Sequence, residues 1–240
     1  GLSEAKKLVL NRDLRIALSE YAPGSEVVAL GKLWTSYGLK KLPEREWPSY
    51  RFWICKRCGR YVAVLADRDE VINSCPSCNE ELDEGNIFVE PRFGFVTSSE
   101  RRPKSLGEWK PRRQYTTKIF FSGKGTPLTE RTVTLREGQV LIEGNKNSKL
   151  AVMSHSEFLL CSKCGFAVSI RRSKEISRGH KTSLGERCNG IFKRRKLGYE
   201  FETDTLLLTF EGCEFSEWGE ALSVLYSILE GASLLLEVCR

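Results

Sequence analysis

Two clusters of cysteine residues constrain the fold of this chain more than any other feature of its sequence. Seven of the nine cysteines belong to them, and Cys213 and Cys239 stand apart. The first cluster contains Cys55, Cys58, Cys75 and Cys78, and the second contains Cys161, Cys164 and Cys188. Because reducing compartments keep thiols free and the N-terminal residues lack a secretion signal, these clusters indicate thiolate metal ligands rather than disulfide bonds. We therefore expect a cytoplasmic protein that folds around metal ions.

The first cluster has the spacing of a structural zinc site. Two CxxC pairs are separated by 16 residues. Two residues between a pair of thiolates allow one tight turn to direct both sulfur atoms at one ion, and two such turns supply the four ligands of tetrahedral zinc. Four protein ligands leave no position for water or substrate. The predicted role of this zinc ion is to stabilise the fold.

The second cluster has three cysteines and needs a fourth ligand. Fifteen residues separate His180 from Cys164, and seven separate it from Cys188, in a loop that contains Gly and Ser. Imidazole is a common fourth ligand in zinc sites with three cysteines, so the residue chemistry favours His180. His155, water, Cys213 or the absence of a metal remain open at this point. A site completed by water would have an open position and is typical of catalysis.

Positive charge indicates a possible nucleic-acid surface. The formal net charge is +7, and Lys and Arg are concentrated in residues 101–118, 171–181 and 193–196. Basic side chains neutralise phosphates and aromatic side chains stack on unpaired bases, whereas the alternative for any charged run is a solvated face. The predicted contact residues are Arg101, Arg102, Lys104, Trp109, Lys110, Arg112, Arg113, Arg171, Arg172, Lys193, Arg194 and Arg195.

The hydrophobic pattern predicts an α+β fold, β-rich, with two zinc-binding modules and a C-terminal amphipathic helix. Residues 3–21 and 216–236 have helical periodicity, with Ser216 as the expected N-cap of the second helix. A strand or hairpin is predicted at 25–39 and a hairpin over 132–144. Further strands are predicted on both sides of the first CxxC and at 87–97, 115–122, 157–160, 166–170, 190–196 and 199–210. The expected divisions are an N-terminal helix and connector (1–46), a first zinc module with four cysteines (47–98), a β-rich segment with a basic loop (99–160), and a second zinc module, with three cysteines and a histidine, followed by the C-terminal helix (161–240).

Several segments of the chain carry a family resemblance. They are "RDLRIALSEYAPGSEVVALGKLWTSYGL", "CKRCG" with "CPSC", "CSKCG" with "GHKTSLGERCNG", "LGYEFETDTLLLTF" and "LYSILEGASLLLEV". Over nearly its whole length the chain resembles the C-terminal zinc-binding region of a group of superfamily two DEAD/DEAH-box helicases. This group includes the mitomycin-repair helicases and helicase components of phage-defence systems such as DISARM. The resemblance implies that Cys161, Cys164, His180 and Cys188 bind the second zinc ion.

The resemblance has two limits. The basic loop at 101–118 matches no family motif, so its role as a DNA contact depends on composition. The phosphate loop and DEAD/DEAH box of the motor are absent from this sequence, so we do not expect it to hydrolyse ATP or act as an enzyme on its own. Because the chain begins at Gly1 and its only methionine is Met153, we expect a fragment of a longer polypeptide.

These observations give three hypotheses of different classes. The first is an accessory domain of a DNA helicase for repair or phage defence, which binds two zinc ions and contacts single-stranded or duplex DNA beside a motor in cis or in trans. The second is a protein-interaction module that uses its C-terminal helix to dock a helicase to a partner. The third is a hydrolase with an open second zinc. No uninterrupted apolar run is long enough to span a bilayer, so no membrane partner is expected.

Overall fold

The computed structural model describes residues 10–68, 70–99, 103–105, 107, 115–176 and 179–237. The described chain is rich in β-strands, with one helix near each end, and it brings together the candidate ligands within each cysteine cluster, which confirms the predicted fold class. The helices are α1 (Leu14–Glu20), α2 (Trp218–Leu235) and a 3-10 helix (Ile170–Ile176).

The strands follow in chain order. They are β1 (Glu26–Ala29), β2 (Lys32–Leu39), β3 (Ser49–Ile54), β4 (Tyr61–Leu65), β5 (Asn86–Val89), β6 (Phe95–Thr97), β7 (Lys104–Ser105), β8 (Thr117–Gly123), β9 (Thr126–Thr134), β10 (Gln139–Ser154), β11 (Phe158–Cys161), β12 (Ala167–Ser169), β13 (His180–Lys181), β14 (Arg187–Cys188) and β15 (Phe192–Glu211). Among the described residues, no helix has the length and apolar content that crossing a membrane requires.

The chain divides into two compact units. Unit 1 comprises Gly1–Gly123 and Ser148–Thr203, and unit 2 comprises Lys124–Asn147 and Asp204–Arg240. In unit 1, one sheet has the order β1-β2-β6, and β7 pairs with β2. A larger sheet contains the order β12-β11-β15-β5-β3-β4, in which β15 and β5 are parallel. The predicted boundaries at 46, 98 and 160 remain predictions.

The core of unit 1 is built from inward side chains of these strands, of β10 and of helix α1, together with Trp47. One group of buried residues includes Leu18, Leu39, Trp47, Val89, Val152, Phe158 and Leu197. A second includes Phe52, Tyr61, Phe88, Ala151 and Met153. Tyr61 is fully buried, and its hydroxyl donates to Glu200 Oε1 at 2.9 Å, which satisfies the polar end of a core side chain. The core therefore fixes β3, β4, β11 and β15, from which the cysteine clusters extend.

Unit 2 contains the predicted hairpin. β9 pairs antiparallel with β10 from Gln139↔Thr134 to Lys146↔Thr126, and the Leu135 N–H donates to the Gly138 carbonyl at 3.0 Å in the turn. Gly138 has φ +94°, and a Cβ there would lie 2.3 Å from the carbonyl oxygen of Glu211, so both conformation and packing require glycine. The last part of β15 and helix α2 complete this unit.

The segment predicted as a strand at 87–97 forms two strands, β5 and β6, in different sheets. Three other predictions of element boundaries were also wrong. The described part of the first helix begins at Leu14, after Asp13, whose side chain accepts from the Arg15 N–H, and residues 1–9 lie outside the description. The strands predicted at 190–196 and 199–210 form one continuous β15. Gly198 does not interrupt it, because this glycine allows close packing: a Cβ would lie 2.7 Å from the Phe88 ring.

The third concerns Ser216, which is not the N-cap of α2. The cap position is Glu217, which makes no side-chain capping bond. Instead, the N–H and hydroxyl of Ser216 both donate to Glu220 Oε2, at 2.8 and 3.1 Å. Ser216 was expected to accept hydrogen bonds from the first turn of the helix. It instead donates two to the Glu220 carboxylate, which lies in that turn.

Candidate metal centres

The first cluster is built from two turns of the same geometry. In the first, the Cys55 N–H donates to the Arg60 carbonyl and the Gly59 N–H donates to the Cys55 carbonyl, both at 2.9 Å. In the second, the Cys75 N–H donates to the Glu80 carbonyl at 2.8 Å, and the Asn79 N–H donates to the Cys75 carbonyl at 2.9 Å. Each turn needs a left-handed residue after its second cysteine. Gly59 has φ +69° and Asn79 has φ +56°, the residue types that adopt this conformation most readily.

The sulfur atoms of these turns have the spacing of a tetrahedral metal site. Cys55 Sγ lies 3.5 Å from Cys78 Sγ, and Cys58 Sγ lies 3.6 Å from Cys75 Sγ. All four sulfurs lie within 4.8 Å of one another. Zinc–sulfur bonds of about 2.3 Å in a tetrahedron place sulfurs about 3.8 Å apart. The predicted first ligand set is therefore brought together with metal-site geometry.

The electrostatics of the first cluster depend on sharing of protons among the thiols. Burial opposes ionisation of Cys75, but hydrogen bonds from the Ser77 and Cys78 N–H groups and from neighbouring thiols lower its pKa to about 7. The Glu80 N–H favours the thiolate of Cys78, yet burial and the other thiols outweigh it and raise the pKa of Cys78 to about 12. One thiolate is thus stabilised at the expense of its neighbour. A divalent cation stabilises all four thiolates together.

The second cluster repeats the same turn once more. The Cys161 N–H donates to the Phe166 carbonyl at 2.8 Å, and the Gly165 N–H donates to the Cys161 carbonyl at 3.1 Å. Gly165 has φ +80°, and a Cβ there would lie 2.1 Å from the Leu39 carbonyl oxygen. The Leu39 N–H in turn donates to the Gly165 carbonyl at 2.9 Å. This glycine therefore shapes the turn and also docks it against β2.

A short hairpin supplies the other two candidate ligands. His180 in β13 and Cys188 in β14 are antiparallel partners, so the register places both beside the turn at Cys161. The Thr182 N–H donates to the Glu186 carbonyl at 2.7 Å, which closes the hairpin. The hydroxyl of Tyr37 in β2 donates to the Lys181 carbonyl at 2.7 Å and anchors the hairpin to unit 1.

The structure places His180, rather than His155, with the three cysteines. The ligand atoms of Cys161, Cys164, His180 and Cys188 lie within 4.8 Å of one another, and Cys161 Sγ is 3.8 Å from Cys188 Sγ. His155 belongs to neither cluster of the described residues. The residues brought together are those that the family resemblance implied.

The surroundings of His180 fit a neutral imidazole ligand. Its Nε2 is buried and has no hydrogen-bond partner among the described residues. Its ring stacks on Phe166, with centroids 5.3 Å apart, and packs against Phe192 at 4.6 Å. Burial lowers the pKa of His180, which favours the neutral form that binds metals. A buried nitrogen without a partner is costly, and coordination to zinc would satisfy it.

Close packing around the second cluster involves residues that the sequence did not single out. A Cβ at Gly190 would lie 2.4 Å from Cys161 Sγ, so only glycine lets this segment approach the turn. The Gly190 N–H also donates to Cys188 Sγ at 3.4 Å. Lys163 Nζ donates to Asn189 Oδ1 at 3.0 Å, which links the turn to the hairpin. The "CNG" sequence was the available signal, since a glycine close to a ligand often marks a close approach of the backbone.

The predicted nucleic-acid contacts fall into three groups. Arg101, Arg102, Trp109, Lys110, Arg112 and Arg113 lie outside the described residues. A second group is held within the chain: Lys104 pairs with Glu26 at 3.8 Å, Arg194 pairs with Glu157, and Arg195, whose pKa burial lowers, donates to the Arg194 carbonyl at 2.7 Å. The third group comprises Arg171 and Arg172 in the 3-10 helix and Lys193 in β15. Of these, Arg171 and Lys193 are exposed.

Positive charge is concentrated around the second cluster. Residues 157–196 contain eleven Lys or Arg and three Glu, an excess of eight positive charges in a chain whose net charge is +7. Lys163 and Arg187, on the turn and the hairpin that hold the candidate ligands, are also exposed. Residues 157–196, which include this cluster, therefore carry a positive excess slightly larger than the net charge of the whole chain.

The chain was also compared with known proteins. No protein-family model, curated protein or solved structure matches it.

Proposed function

We propose that this chain is a zinc-binding accessory domain of a cytoplasmic DEAD/DEAH-box helicase and that its second zinc module contacts DNA. The motor would lie elsewhere, in cis or in trans. The resemblance of the cysteine and histidine motifs to helicase C-terminal regions supports the link to a motor. The observation that carries the DNA contact is the excess of eight positive charges within residues 157–196.

Both zinc ions would be structural in this proposal. Cys55, Cys58, Cys75 and Cys78 would hold one ion, and Cys161, Cys164, His180 and Cys188 would hold the other. Four protein ligands fill a tetrahedral zinc, so neither ion would retain a position for water. This ligand count favours the accessory domain over the hydrolase considered from the sequence. The zinc ion would keep the turn and hairpin of the second module in register.

The exposed cations of the second module are suited to phosphate contacts. Arg171, Arg187 and Lys193 are exposed. Lys163 donates to a neutral amide, so its positive charge remains uncompensated by that contact. Such side chains bind phosphates with release of counterions, which makes affinity fall steeply with salt. In contrast, Arg194 is neutralised by Glu157 and contributes less to a phosphate site.

The test is binding of the zinc-loaded chain to labelled single-stranded DNA, duplex DNA and RNA over a series of salt concentrations. We expect DNA binding that weakens as salt rises. Replacement of Arg171, Arg187 and Lys193 together by Ala should reduce affinity by about tenfold or more and lower the slope of log affinity against log salt by about three. Fluorescence anisotropy measures both quantities.

A matched triple variant separates a local site from overall charge. Arg131, Arg136 and Lys146 are exposed residues of unit 2, and their replacement by Ala removes the same number of charges. The control should retain nearly the affinity of the unmodified chain. Equal losses in both variants, or no DNA binding at low salt, would contradict the proposed contact surface. Preference for RNA would redirect the proposal to an RNA helicase.

A further inference from the structure

Helix α2 presents apolar side chains that nothing in the described structure buries. None of its 18 residues is buried. Trp218, Leu225 and Leu229 recur on one face at helical spacing, and their exposed fractions are 78%, 46% and 47%. Beyond the helix, Leu236 continues this face and is 71% exposed. Helices in proteins gain most of their stability from packing of an amphipathic face, and a continuous exposed apolar face of this kind marks an interaction surface.

The charged residues of this C-terminal segment are of one sign. Residues 204–237 contain seven Asp or Glu and neither Lys nor Arg. Within and beside the helix these acids are Glu217, Glu220, Glu230 and Glu237. The surface therefore combines an apolar stripe with a border of carboxylates. A complementary surface must be apolar at its centre and basic at its rim.

We propose that α2 docks, by its Trp218, Leu225 and Leu229 face, into an apolar groove of a partner protein whose rim carries Lys or Arg. The helix is about 27 Å long at 1.5 Å per residue, so the groove would accommodate about five helical turns. This is recognition of an amphipathic helix in a groove, with anchors at i, i+7 and i+11. It is independent of DNA binding by unit 1.

The charge distribution argues against three other occupants. A second copy would bring two sets of carboxylates together along the paired helices, without Lys or Arg from either copy of residues 204–237. Anionic lipid headgroups would repel the same border, whereas helices that lie on membranes carry Lys and Arg on their polar face. Nucleic-acid phosphates would be repelled likewise.

Synthetic peptides of defined charge test this chemistry with the full zinc-loaded chain. We expect an amphipathic helical peptide of leucine and lysine to bind, and a matched peptide of leucine and glutamate not to bind. Replacement of Leu225 and Leu229 together by Ser should weaken binding of the lysine peptide at least about tenfold. The control variant Ser223→Ala/Ser227→Ala changes the opposite face and should bind normally. Equal binding of both peptides, or binding unaffected by the leucine changes, would overturn the proposal.

If the leucine variant loses its helix, a charge-reversed variant still tests the predicted charge of the partner. Glu217→Lys/Glu230→Lys should weaken binding of the lysine peptide and permit binding of the glutamate peptide. The absence of this exchange would contradict a basic rim on the partner. The leucine and serine variants leave the charge unchanged and should retain two zinc ions per chain and unaltered DNA binding, so failure of this proposal is distinguishable from failure of the helicase proposal.

Two further measurements address the alternative occupants. Analytical ultracentrifugation should find the chain monomeric, and a dimer that the leucine changes dissociate would assign the face to a second copy and overturn the proposal. Cosedimentation with phosphatidylserine vesicles should be absent, and binding that requires Leu225 and Leu229 would assign the face to a membrane and overturn it likewise. A photocrosslinker at position 225 in the native host should then join a protein segment whose apolar residues are flanked by Lys or Arg.

Discussion

The two units of this chain differ in their charge, in their candidate metal ligands and in how much apolar surface they bury. Unit 1 contains both metal clusters and has 33 Lys or Arg against 21 Asp or Glu, whereas unit 2 has 5 against 10. Unit 1 buries aromatic and aliphatic side chains from several strands. Within the described part of unit 2, Val140 is the buried apolar side chain, and no apolar residue of α2 is buried.

Within unit 1, we expect metal binding to take the place of a hydrophobic core around the first cluster. The turn at Cys75 has little apolar packing of its own, and its exposed ion pairs Lys56–Asp83 and Arg57–Glu80 contribute little. Coordination would hold such a segment in one conformation. Unit 2 has no such cluster among its described residues, so an external surface is the remaining way to bury its helix face. The comparison therefore predicts that unit 1 depends on metal and unit 2 on a partner.

The largest expected effect is that of Cys75→Ser. Cys75 is fully buried, and its loss should reduce the zinc content from two ions to one and unfold the first cluster. Structural zinc contributes about 10–16 kcal/mol of apparent binding free energy, so we expect destabilisation of at least about 5 kcal/mol. Elemental analysis and thermal unfolding measure the two effects. Cys213→Ser in unit 2 is the matched control and should keep both ions; two ions and an unchanged Tm in Cys75→Ser would refute the assignment.

The next effect is expected at the second cluster. His180→Ala should weaken zinc binding about 100-fold or more, because three thiolates then hold the ion without the imidazole. Competition with a chelator of known affinity measures this change. His155→Ala is the control, since His155 lies outside both clusters. A normal zinc affinity in His180→Ala would show that another group completes the site.

The sequence predicted the candidate ligands because metal sites leave a fixed signature. Cysteine spacing determines which sulfurs one turn can direct at an ion, so Cys55, Cys58, Cys75 and Cys78 were recognisable without structure. The sequence supported His180 over His155 less strongly, because the choice depends on which residues pair between β13 and β14. The pairing of His180 with Cys188 across β13 and β14 is a tertiary feature that loop length alone does not determine.

Other features were not predictable because tertiary packing decides them. The pattern around Gly198 predicts a break between two strands, whereas its missing side chain makes room for Phe88 within a continuous β15. Composition predicts a DNA contact at Arg194. Its partner Glu157 is distant in sequence but lies just before β11, which pairs with the part of β15 that contains Arg194. The sequence also did not predict that the apolar face of α2 is exposed, because an amphipathic pattern is the same whether or not a core covers it.

Smaller effects are expected when a glycine of each unit is replaced by alanine. In unit 1 close packing should decide the result, and in unit 2 helix propensity should decide it. Gly190→Ala in unit 1 places a Cβ against Cys161 Sγ and should weaken zinc binding at the second cluster by about tenfold. Gly219→Ala in α2 has no atom within 4 Å of the new Cβ and should stabilise the helix by up to about 1 kcal/mol. Zinc competition and circular dichroism measure these changes. Opposite signs are expected, and a loss of stability in both would contradict the packing difference.

The smallest effect concerns the carboxylate at the start of α2. Hydrogen bonds from the Ser216 N–H and hydroxyl lower the pKa of Glu220, so its folded state holds a proton less tightly than the unfolded chain. The resulting stability is present above the ordinary glutamate pKa of 4.5 and is lost as pH falls through the lowered value. Glu220→Gln should remove this dependence and reduce protection of the Ser216 amide from hydrogen exchange near neutral pH.

Carboxyl NMR titration and amide exchange are the measurements for this prediction, and Glu214→Gln, outside the helix, is the control. Glu220 is fully exposed to solvent, so the effect should be local to the first turn and leave the zinc content unchanged. If acidification through the lowered pKa of Glu220 released the Ser216 amide equally in the unmodified chain and in Glu220→Gln, the helix start would depend on something other than this carboxylate. If acidification released the amide only in the unmodified chain, the Glu220 carboxylate would stabilise the start of α2. Unit 2 would then use a side-chain hydrogen bond for local stability, whereas unit 1 is expected to use metal ligands.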